Sequence, residues 1–137
     1  MDCLFCRIIA GEIPARTIAE SETALAFLDI NPVSKGHALV IPRRHCADLF
    51  DADPADLAGV AALSQRVAGQ LKAALGCDGL NVSQHNGPAA GQEIFHYHVH
   101  LIPRWTGDGV LRTWQPLADP GNLDELAGSI RAAGGDA

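Results

Sequence analysis

The sequence predicts an α+β fold, in which an antiparallel β-sheet carries one long helix on a face and a short helix precedes the first strand. The chain has 137 residues, 47% of them hydrophobic, which suits a single domain over 1–137 with a buried core. Short apolar runs bounded by turn residues are typical of strands. One longer segment, between Asp53 and Gly76, repeats its apolar residues every three or four positions, as an amphipathic helix does.

Five short apolar runs predict the strands of the sheet. They cover 17–20, 23–30, 37–41, 80–83 and 95–103. The pair Ser21-Glu22 suits a hairpin turn between the first two runs, and Pro42 ends the third. A helix of one or two turns over 4–9 precedes the strands, and a weaker helix over 123–132 follows them. The tail, 134–137, is expected to fray.

The long helix has a recognisable start, end and buried face. Asp53 can cap its N-terminus, Pro54 suits its first turn, and Gly76 suits its C-terminal end. The apolar residues that share one face are Leu57, Val60, Leu63, Val67, Leu71 and Leu75. We expect this face to pack on the sheet.

Charge and hydropathy exclude several classes of partner. A formal net charge of −6 argues against nucleic acid, although a locally positive pocket can still hold a small anion. No apolar stretch reaches the ~20 residues of a membrane-spanning helix. The first residues, 1–7, lack the basic-then-apolar order of a secretion signal, so we expect a cytoplasmic protein whose four cysteines are not paired as disulfides.

Three histidines alternate along the last predicted strand. Alternation places His96, His98 and His100 on one face of that strand, with successive residues ~6.6–6.8 Å apart. Tyr97, Val99 and Leu101 then face the core. Two other interpretations stay open: the spacing is a coincidence, or an H-x-H pair supplies two ligands to a catalytic metal.

Four motifs in a fixed order carry a family resemblance. They are 27–32 (FLDINP), 36–45 (GHALVIPRRH), 90–93 (AGQE) and 96–102 (HYHVHLI). Together they resemble the histidine triad family of nucleotide hydrolases and transferases over roughly residues 3–104, most closely its phosphoramidate hydrolases in the bacterial C-x-x-C variant. The resemblance implies the family fold and a two-fold homodimer. It leaves the C-terminal segment, 105–137, and Trp114 within it, available for contacts with the partner or the active site.

The resemblance also assigns catalytic roles. His98 is the nucleophile, because neutral imidazole attacks a phosphoryl group without charge repulsion and then leaves again. The main-chain carbonyl of His96 orients His98, and His37 and His100 flank the phosphate.

The nucleotide would bind beside these histidines. Asp29 would accept both ribose hydroxyls, although a turn role is the plainer interpretation of this residue. An apolar slot for the base, which can equally be core, comprises Leu4, Phe5, Ile8, Ile13, Phe27 and Ile30. The phosphate-contacting loop supplies His85, Asn86, Gly91, Gln92 and Glu93. His85 stands where the family often has an amide, and Glu93, otherwise an exposed charge, can protonate a leaving amine.

A metal site follows from the C-x-x-C pair and the resemblance. Cys3, Cys6, His45 and His96 make a closed S2N2 set of the ligand types that zinc prefers, which indicates a structural zinc and no organic cofactor. The alternative is two reduced core cysteines and a solvated His45.

The leading hypothesis is therefore a purine nucleoside phosphoramidate hydrolase with a covalent nucleotidyl-histidine intermediate. Its partner is a small-molecule nucleotide, not nucleic acid or a membrane. The alternatives are a dinucleoside polyphosphate hydrolase or phosphorylase, a nucleotide-binding interaction protein with little turnover, and a metalloenzyme that uses the H-x-H pair.

Overall fold

The computed structural model describes residues 3–109 and 114–134. Its helices are α1 (Leu4–Ile9), α2 (Pro54–Leu75) and α3 (Leu123–Gly134). Its strands are β1 (Thr17–Glu20), β2 (Ala24–Leu28), β3 (Ala38–Pro42), β4 (Gly79–Ser83) and β5 (Val99–Arg104). A single 3-10 turn, Pro88–Ala90, lies in the loop before β5. Within these ranges, none of the helices is both long and apolar enough to span a bilayer.

The strands form one antiparallel sheet in the order β1-β2-β3-β5-β4. This confirms the predicted α+β fold. The central pairing of β3 with β5 places Leu39 opposite His100 and Ala38 opposite Leu101. His37, which directly precedes β3, is thereby brought beside His100 of β5.

Helix α2 covers one face of the sheet as predicted. The side chain of Asp53 accepts a hydrogen bond from the N–H of Ala55 at 2.8 Å, and Gly76 ends the helix with a φ of 61°. The residues of its apolar face that are fully buried are Val60, Leu63, Val67 and Leu71. Helix α3 packs against α2 through the buried Ile130 and ends two residues later than predicted. Of the tail that is expected to fray, 135–137 lie outside the described residues.

The opposite face of β2 and β3 is covered by the N-terminal segment. A second apolar cluster there comprises Cys3, Phe5, Leu25, Phe27, Leu39 and Ile41. Because side chains alternate along a strand, β2 sends Ala24, Ala26 and Leu28 to the α2 side and the rest to this one. Short helix α1 is therefore placed directly beside the residues from which the site is built.

The prediction of a strand over 95–103 is wrong for its first half. Strand β5 begins at Val99, and His96 and His98 lie in a bent segment before it. The physical reason is that neither neighbour extends that far: the β3 pairing stops at Val40 opposite Val99, and the β4 pairing stops at Ser83 opposite His100. The bent segment is held instead by a bond from the N–H of Tyr97 to the carbonyl of Cys46 at 2.8 Å.

Candidate active site and metal centre

The ring of His98 is oriented by the main chain of the bent segment. Its Nδ1 lies 2.7 Å from the carbonyl oxygen of His96, so Nδ1–H donates and the lone pair is left on Nε2. The ring lies edge-on to Phe5, with centroids 5.2 Å apart. Burial lowers the pKa of His98 below its ordinary value of 6.5, and the bond to the His96 carbonyl opposes that shift in part.

The rings of His98 and His100 approach each other more closely than an ideal strand allows. Their centroids are 4.9 Å apart, because His98 precedes the regular strand. His100 also lies 3.0 Å, Nδ1 to Nε2, from His37. Burial lowers the pKa of His37 to about 4 and that of His100 to about 3, although the carboxylate of Asp29 opposes the shift of His37. Both rings are therefore neutral at pH 7.

Asp29 directly follows β2, whose end at Leu28 is two residues short of the predicted end at Ile30. Its Oδ1 accepts from the N–H of Asn31 at 2.8 Å, and its Oδ2 lies 3.6 Å from Nε2 of His37. The side chain is half-buried. A carboxylate has about four lone-pair directions, so these two contacts leave it capacity to accept further hydrogen bonds.

His85 and Trp114 enclose the histidine pair from the other side. The ring of His85 lies 5.7 Å from that of His100, with 34° between their planes. The indole of Trp114 lies 4.7 Å from His100 and 5.4 Å from His37, all within one chain. A bond from the N–H of Leu117 to the carbonyl of Pro32, at 2.7 Å, fixes the C-terminal segment over this part of the molecule.

The loop before the bent segment is held by amide side chains. Gln92 accepts from the N–H of Gly87 and donates to the carbonyls of Ala47 and Ile94, which occupies both of its donors. Oδ1 of Asn86 accepts from the N–H of Leu49 at 2.7 Å. Gly91 adopts a φ of 91°, which only glycine adopts without strain. Glu93 is exposed.

The residues expected to form an apolar slot differ in exposure. Phe5 and Phe27 are buried and lie edge to face, 5.5 Å apart. Ile8 and Ile13 are half-buried, whereas Leu4 is 44% and Ile30 64% exposed. Ile30, the neighbour of Asp29 in the chain, therefore offers exposed apolar surface that a ligand can contact.

The predicted metal ligands lie together at the N-terminal end of α1. Ligand atoms of Cys3, Cys6, His45 and His96 are all within 4.8 Å of one another. The Cys3 sulfur lies 3.4 Å from Nδ1 of His96, and the Cys6 sulfur lies 3.4 Å from Nδ1 of His45 and 3.6 Å from that of His96. The two imidazole nitrogens are 3.3 Å apart.

A family model described as the HIT domain matches residues 10–107. The chain belongs to the histidine triad (HIT) family. The uncharacterised HIT-like protein MJ0866 of Methanocaldococcus jannaschii is 48% identical over 130 residues, which cover 94% of this chain and 98% of that protein. Adenylylsulfatase HINT3 of Arabidopsis thaliana is 42% identical over 103 residues, 75% of this chain and 52% of that protein.

The fold of this HIT protein is shared with solved structures. A Zn-bound histidine triad family protein from Mycobacterium smegmatis matches it with a TM-score of 0.87 and 41% identity, over 98% of this chain and 94% of that one. The predicted resemblance to the family is thereby confirmed.

The four-residue cluster of this HIT protein has the dimensions of a zinc site. Tetrahedral zinc, at ~2.3 Å from sulfur and ~2.05 Å from nitrogen, sets neighbouring sulfur and nitrogen ligands about 3.5–3.6 Å apart and two nitrogens about 3.3–3.4 Å apart. The observed separations of 3.3–3.6 Å agree. Nε2 of His96 lies 2.8 Å from the carbonyl of Pro42, so that nitrogen carries the proton and Nδ1 offers a lone pair to the cluster.

Asp29, His37 and His100 also bring ligand atoms within 4.8 Å of one another. This set differs from the cluster of two cysteines and two histidines, because the facing nitrogens of His37 and His100 are close enough to form a hydrogen bond with each other. Hard oxygen and mutually bonded nitrogen make this set a weaker match to zinc than the two sulfurs and two nitrogens of the first.

Two groups that shape the site gave no signal in the sequence. The carbonyl of Pro42 orients His96, and the N–H of Val33 bonds to Nδ1 of His37 at 3.1 Å. Every residue carries a main-chain carbonyl and every residue but proline an N–H, so residue type cannot reveal which of them shape the site.

Proposed function

We propose that this HIT protein hydrolyses purine nucleoside phosphoramidates, R–NH–PO2–O–nucleoside, through a nucleotidyl intermediate on Nε2 of His98. The products are an amine and a nucleoside monophosphate. The observation that carries the proposal is the 2.7 Å bond from Nδ1–H of His98 to the His96 carbonyl, which leaves the lone pair on Nε2. A neutral, oriented imidazole is the nucleophile suited to a negatively charged phosphorus centre.

The first step exchanges one bond to phosphorus for another. Nε2 of His98 attacks, the P–Nε2 bond forms, and the P–N bond to the amine breaks. The leaving nitrogen takes up one proton, for which the carboxyl of Glu93 is the candidate donor. Positive charge that develops on the attacking ring is delocalised and stabilised at Nδ1–H by the carbonyl of His96.

The second step returns His98 to its starting state. Water attacks phosphorus, the P–Nε2 bond breaks, and the proton that water loses goes to the Glu93 carboxylate left by the first step. His37 and His100 stand beside this centre, and the loop that carries His85, Asn86 and Gly91 completes the anion-binding side.

The nucleoside end of the substrate binds beside Asp29. Its carboxylate accepts the two ribose hydroxyls, and the half-buried and exposed residues of the apolar slot contact the purine. The exposed fraction of Ile30, 64%, supports this role because base binding would cover surface that is otherwise in contact with water.

The role that we propose for zinc is structural. Cys3, Cys6, His45 and His96 would hold it, and four protein ligands leave no position for a reacting water. Through its ligand His96, the bent segment whose carbonyl orients His98 would be held in place when zinc is bound. The Zn-bound relative from Mycobacterium smegmatis supports this assignment.

The assembly that we propose is a two-fold homodimer of single-domain chains in the cytoplasm. Strand β4 lies at one border of the sheet, and Val82 on it is 61% exposed. An apolar side chain on an edge strand is an open surface that a second copy can cover. Light scattering of the purified protein tests the mass, for which twice the 14.4 kDa of the chain is expected.

Kinetics on a panel of nucleotides tests the activity. Adenosine 5′-phosphoramidate is expected to give the highest kcat/KM, ahead of diadenosine polyphosphates and adenylyl sulfate. His98→Gly is expected to abolish turnover of every member while nucleotide binding and the far-ultraviolet circular dichroism spectrum persist. Turnover that survives in His98→Gly would exclude the covalent route. Binding without turnover of any member by the native protein would instead favour the nucleotide-binding interaction protein.

A second candidate activity is hydrolysis of adenylyl sulfate. The relative from Arabidopsis thaliana is named an adenylylsulfatase and is 42% identical over 103 residues. The same attack by His98 would release sulfate, which needs no proton to leave. Glu93→Gln therefore separates the two in the first step alone: in single-turnover experiments it slows release of the amine and spares release of sulfate, whereas hydrolysis of the shared His98 intermediate changes equally for both substrates.

A further inference from the structure

The peptide group between Pro32 and Val33 is held at both ends. Its N–H donates to Nδ1 of His37 at 3.1 Å, and its carbonyl accepts from the N–H of Leu117 at 2.7 Å. The positive φ of Gly36, 86°, helps to turn the loop back, so that the main chain reaches a ring four residues further on. Hydrogen bonds on both sides of a peptide polarise it in the same direction, which strengthens its N–H as a donor.

The bond from Val33 determines which nitrogen of His37 carries the proton. A nitrogen that accepts a hydrogen bond is unprotonated, and neutral imidazole has one such nitrogen. Burial lowers the pKa of His37 to about 4, so the ring is neutral at pH 7. Its single proton therefore lies on Nε2.

The proton on His37 in turn determines the tautomer of His100. Nε2 of His37 lies 3.0 Å from Nδ1 of His100 and 3.6 Å from Oδ2 of Asp29, so His100 is the better-placed acceptor. With Nδ1 accepting, the one proton of neutral His100 lies on Nε2. His100 is then a hydrogen-bond donor at that atom and not an acceptor.

We propose that the main-chain N–H of Val33 is a positioning group of the active site, which fixes the tautomer of His37 and through it makes His100 donate from Nε2 to the phosphate. The last step rests on the proposed function. His37 thereby acts through His100, which fits its complete burial. A donor that is already aimed at the phosphate stabilises charge in the transition state without reorganisation.

Histidine tautomers are read directly by nitrogen NMR. Long-range proton–nitrogen spectra of the zinc-loaded protein, labelled with nitrogen-15 in histidine, separate protonated from unprotonated ring nitrogens at neutral pH. The expected spectrum has Nδ1 bare and Nε2 protonated in both His37 and His100. His37→Gln and His100→Gln assign the signals. A native spectrum with the proton of His37 on Nδ1 overturns the proposal.

Two variants remove the Val33 donor with different side effects. Val33→Pro deletes the N–H but constrains the backbone, whereas an ester in place of the Val33 amide keeps the backbone but weakens the Pro32 carbonyl as an acceptor. Leu117→Pro removes the partner of that carbonyl and keeps the Val33 N–H, so it controls for the second effect. Val33→Ala keeps the amide and is expected to keep the His37 tautomer.

Both donor-deleting forms are expected to populate the Nδ1–H tautomer of His37, with a matching change in His100. An ordinary hydrogen bond shifts such an equilibrium about two- to tenfold, so the single-turnover rate of nucleotide transfer should fall by up to that factor with substrate affinity kept. His100→Ala removes the donor itself and should lower the rate of nucleotide transfer by a factor of about 10²–10³. If Val33→Pro fails to fold, the ester decides alone.

Unchanged tautomers of His37 and His100 in the folded variants overturn the positioning role. The NMR result stands apart from turnover: if no nucleotide is hydrolysed, the proposed function fails while the tautomer assignment is still tested. If hydrolysis through His98 proceeds and the tautomers do not respond, the role of Val33 alone fails.

Discussion

Replacement of Cys6 by serine removes one of the two sulfur ligands of the proposed zinc site and releases the N-terminal segment. Helix α1 has six residues, well below the ~12–15 at which an isolated helix becomes marginal in water. Phe5 is the buried residue on it, worth about 1.5–3 kcal/mol, against about 1–2 kcal/mol for ordering each residue of the backbone. The segment is therefore expected to stay in place only while the metal is bound.

The size of the effect follows from mass action. Zinc present at about a thousand times its dissociation constant stabilises the folded state by about 4 kcal/mol. For a domain of this length that corresponds to a fall in Tm of roughly 10–20 °C when zinc is lost. Because the ring of Phe5 lies 5.2 Å from that of His98, loss of the segment should also lower kcat.

Calorimetry of the zinc-loaded protein measures the change in Tm, and hydrogen exchange measures the release of the N-terminal segment. Cys6→Ser, and chelation of the native protein, should lower the Tm and make the amides of 4–9 exchange as in an unfolded chain. Cys77→Ser is the matched control, because Cys77 is a buried cysteine outside the metal cluster. Equal Tm values for Cys6→Ser and Cys77→Ser, or protection of 4–9 that survives chelation, would refute the reasoning.

Three further predictions follow from individual residues. Burial holds the pKa of His37 at about 4, below the ~6.5 of the unfolded chain, so the unfolded state binds more protons between these values and stability is lost as the pH falls through that window. The free energy of unfolding, measured by urea denaturation, should fall less steeply with falling pH in His37→Gln, by up to about 1.4 kcal/mol per pH unit, and equal slopes would contradict the burial argument. Asp29→Asn should raise the KM of the ribonucleotide about tenfold or more and leave that of a 2′,3′-dideoxy analogue unchanged; parallel changes would place Asp29 away from the ribose. Gly36→Ala should destabilise by at least about 1–2 kcal/mol in urea, because its φ is 86° and the added Cβ would lie 2.5 Å from Cδ1 of Leu75, whereas Gly69→Ala, in an open stretch of α2, should stabilise by about 0.5–1 kcal/mol. A stabilising Gly36→Ala would show that the loop does not need a left-handed residue.

Local signals predicted α2 well because they lie within the helix itself. Asp53, Pro54 and Gly76 mark its ends, and the apolar period marks its buried face. The start of β5 could not be predicted in the same way, because a strand ends where its neighbours cease to offer hydrogen bonds. Alternation continues through His96 and His98, yet the β3 and β4 pairings stop at Val99 and His100.

In the candidate site, too, some groups can be predicted from the sequence and others cannot. Side chains with distinctive chemistry, such as Cys3 and Cys6, can be found by type and spacing, and the structure brings them together with His45 and His96. Main-chain groups cannot be found in this way, and both Val33 and Pro42 contribute to the site through main-chain groups. The place of Trp114 over His100 depends on a bond between distant segments that no local pattern encodes.

The stereochemistry at phosphorus tests the covalent route most directly. A phosphorothioate analogue of the adenosine phosphoramidate, chiral at phosphorus, is hydrolysed in oxygen-18 water and the configuration of the product is determined. Attack by His98 followed by attack of water inverts phosphorus twice, so overall retention is predicted. Net inversion would show that water displaces the amine in one step and would contradict an intermediate on His98.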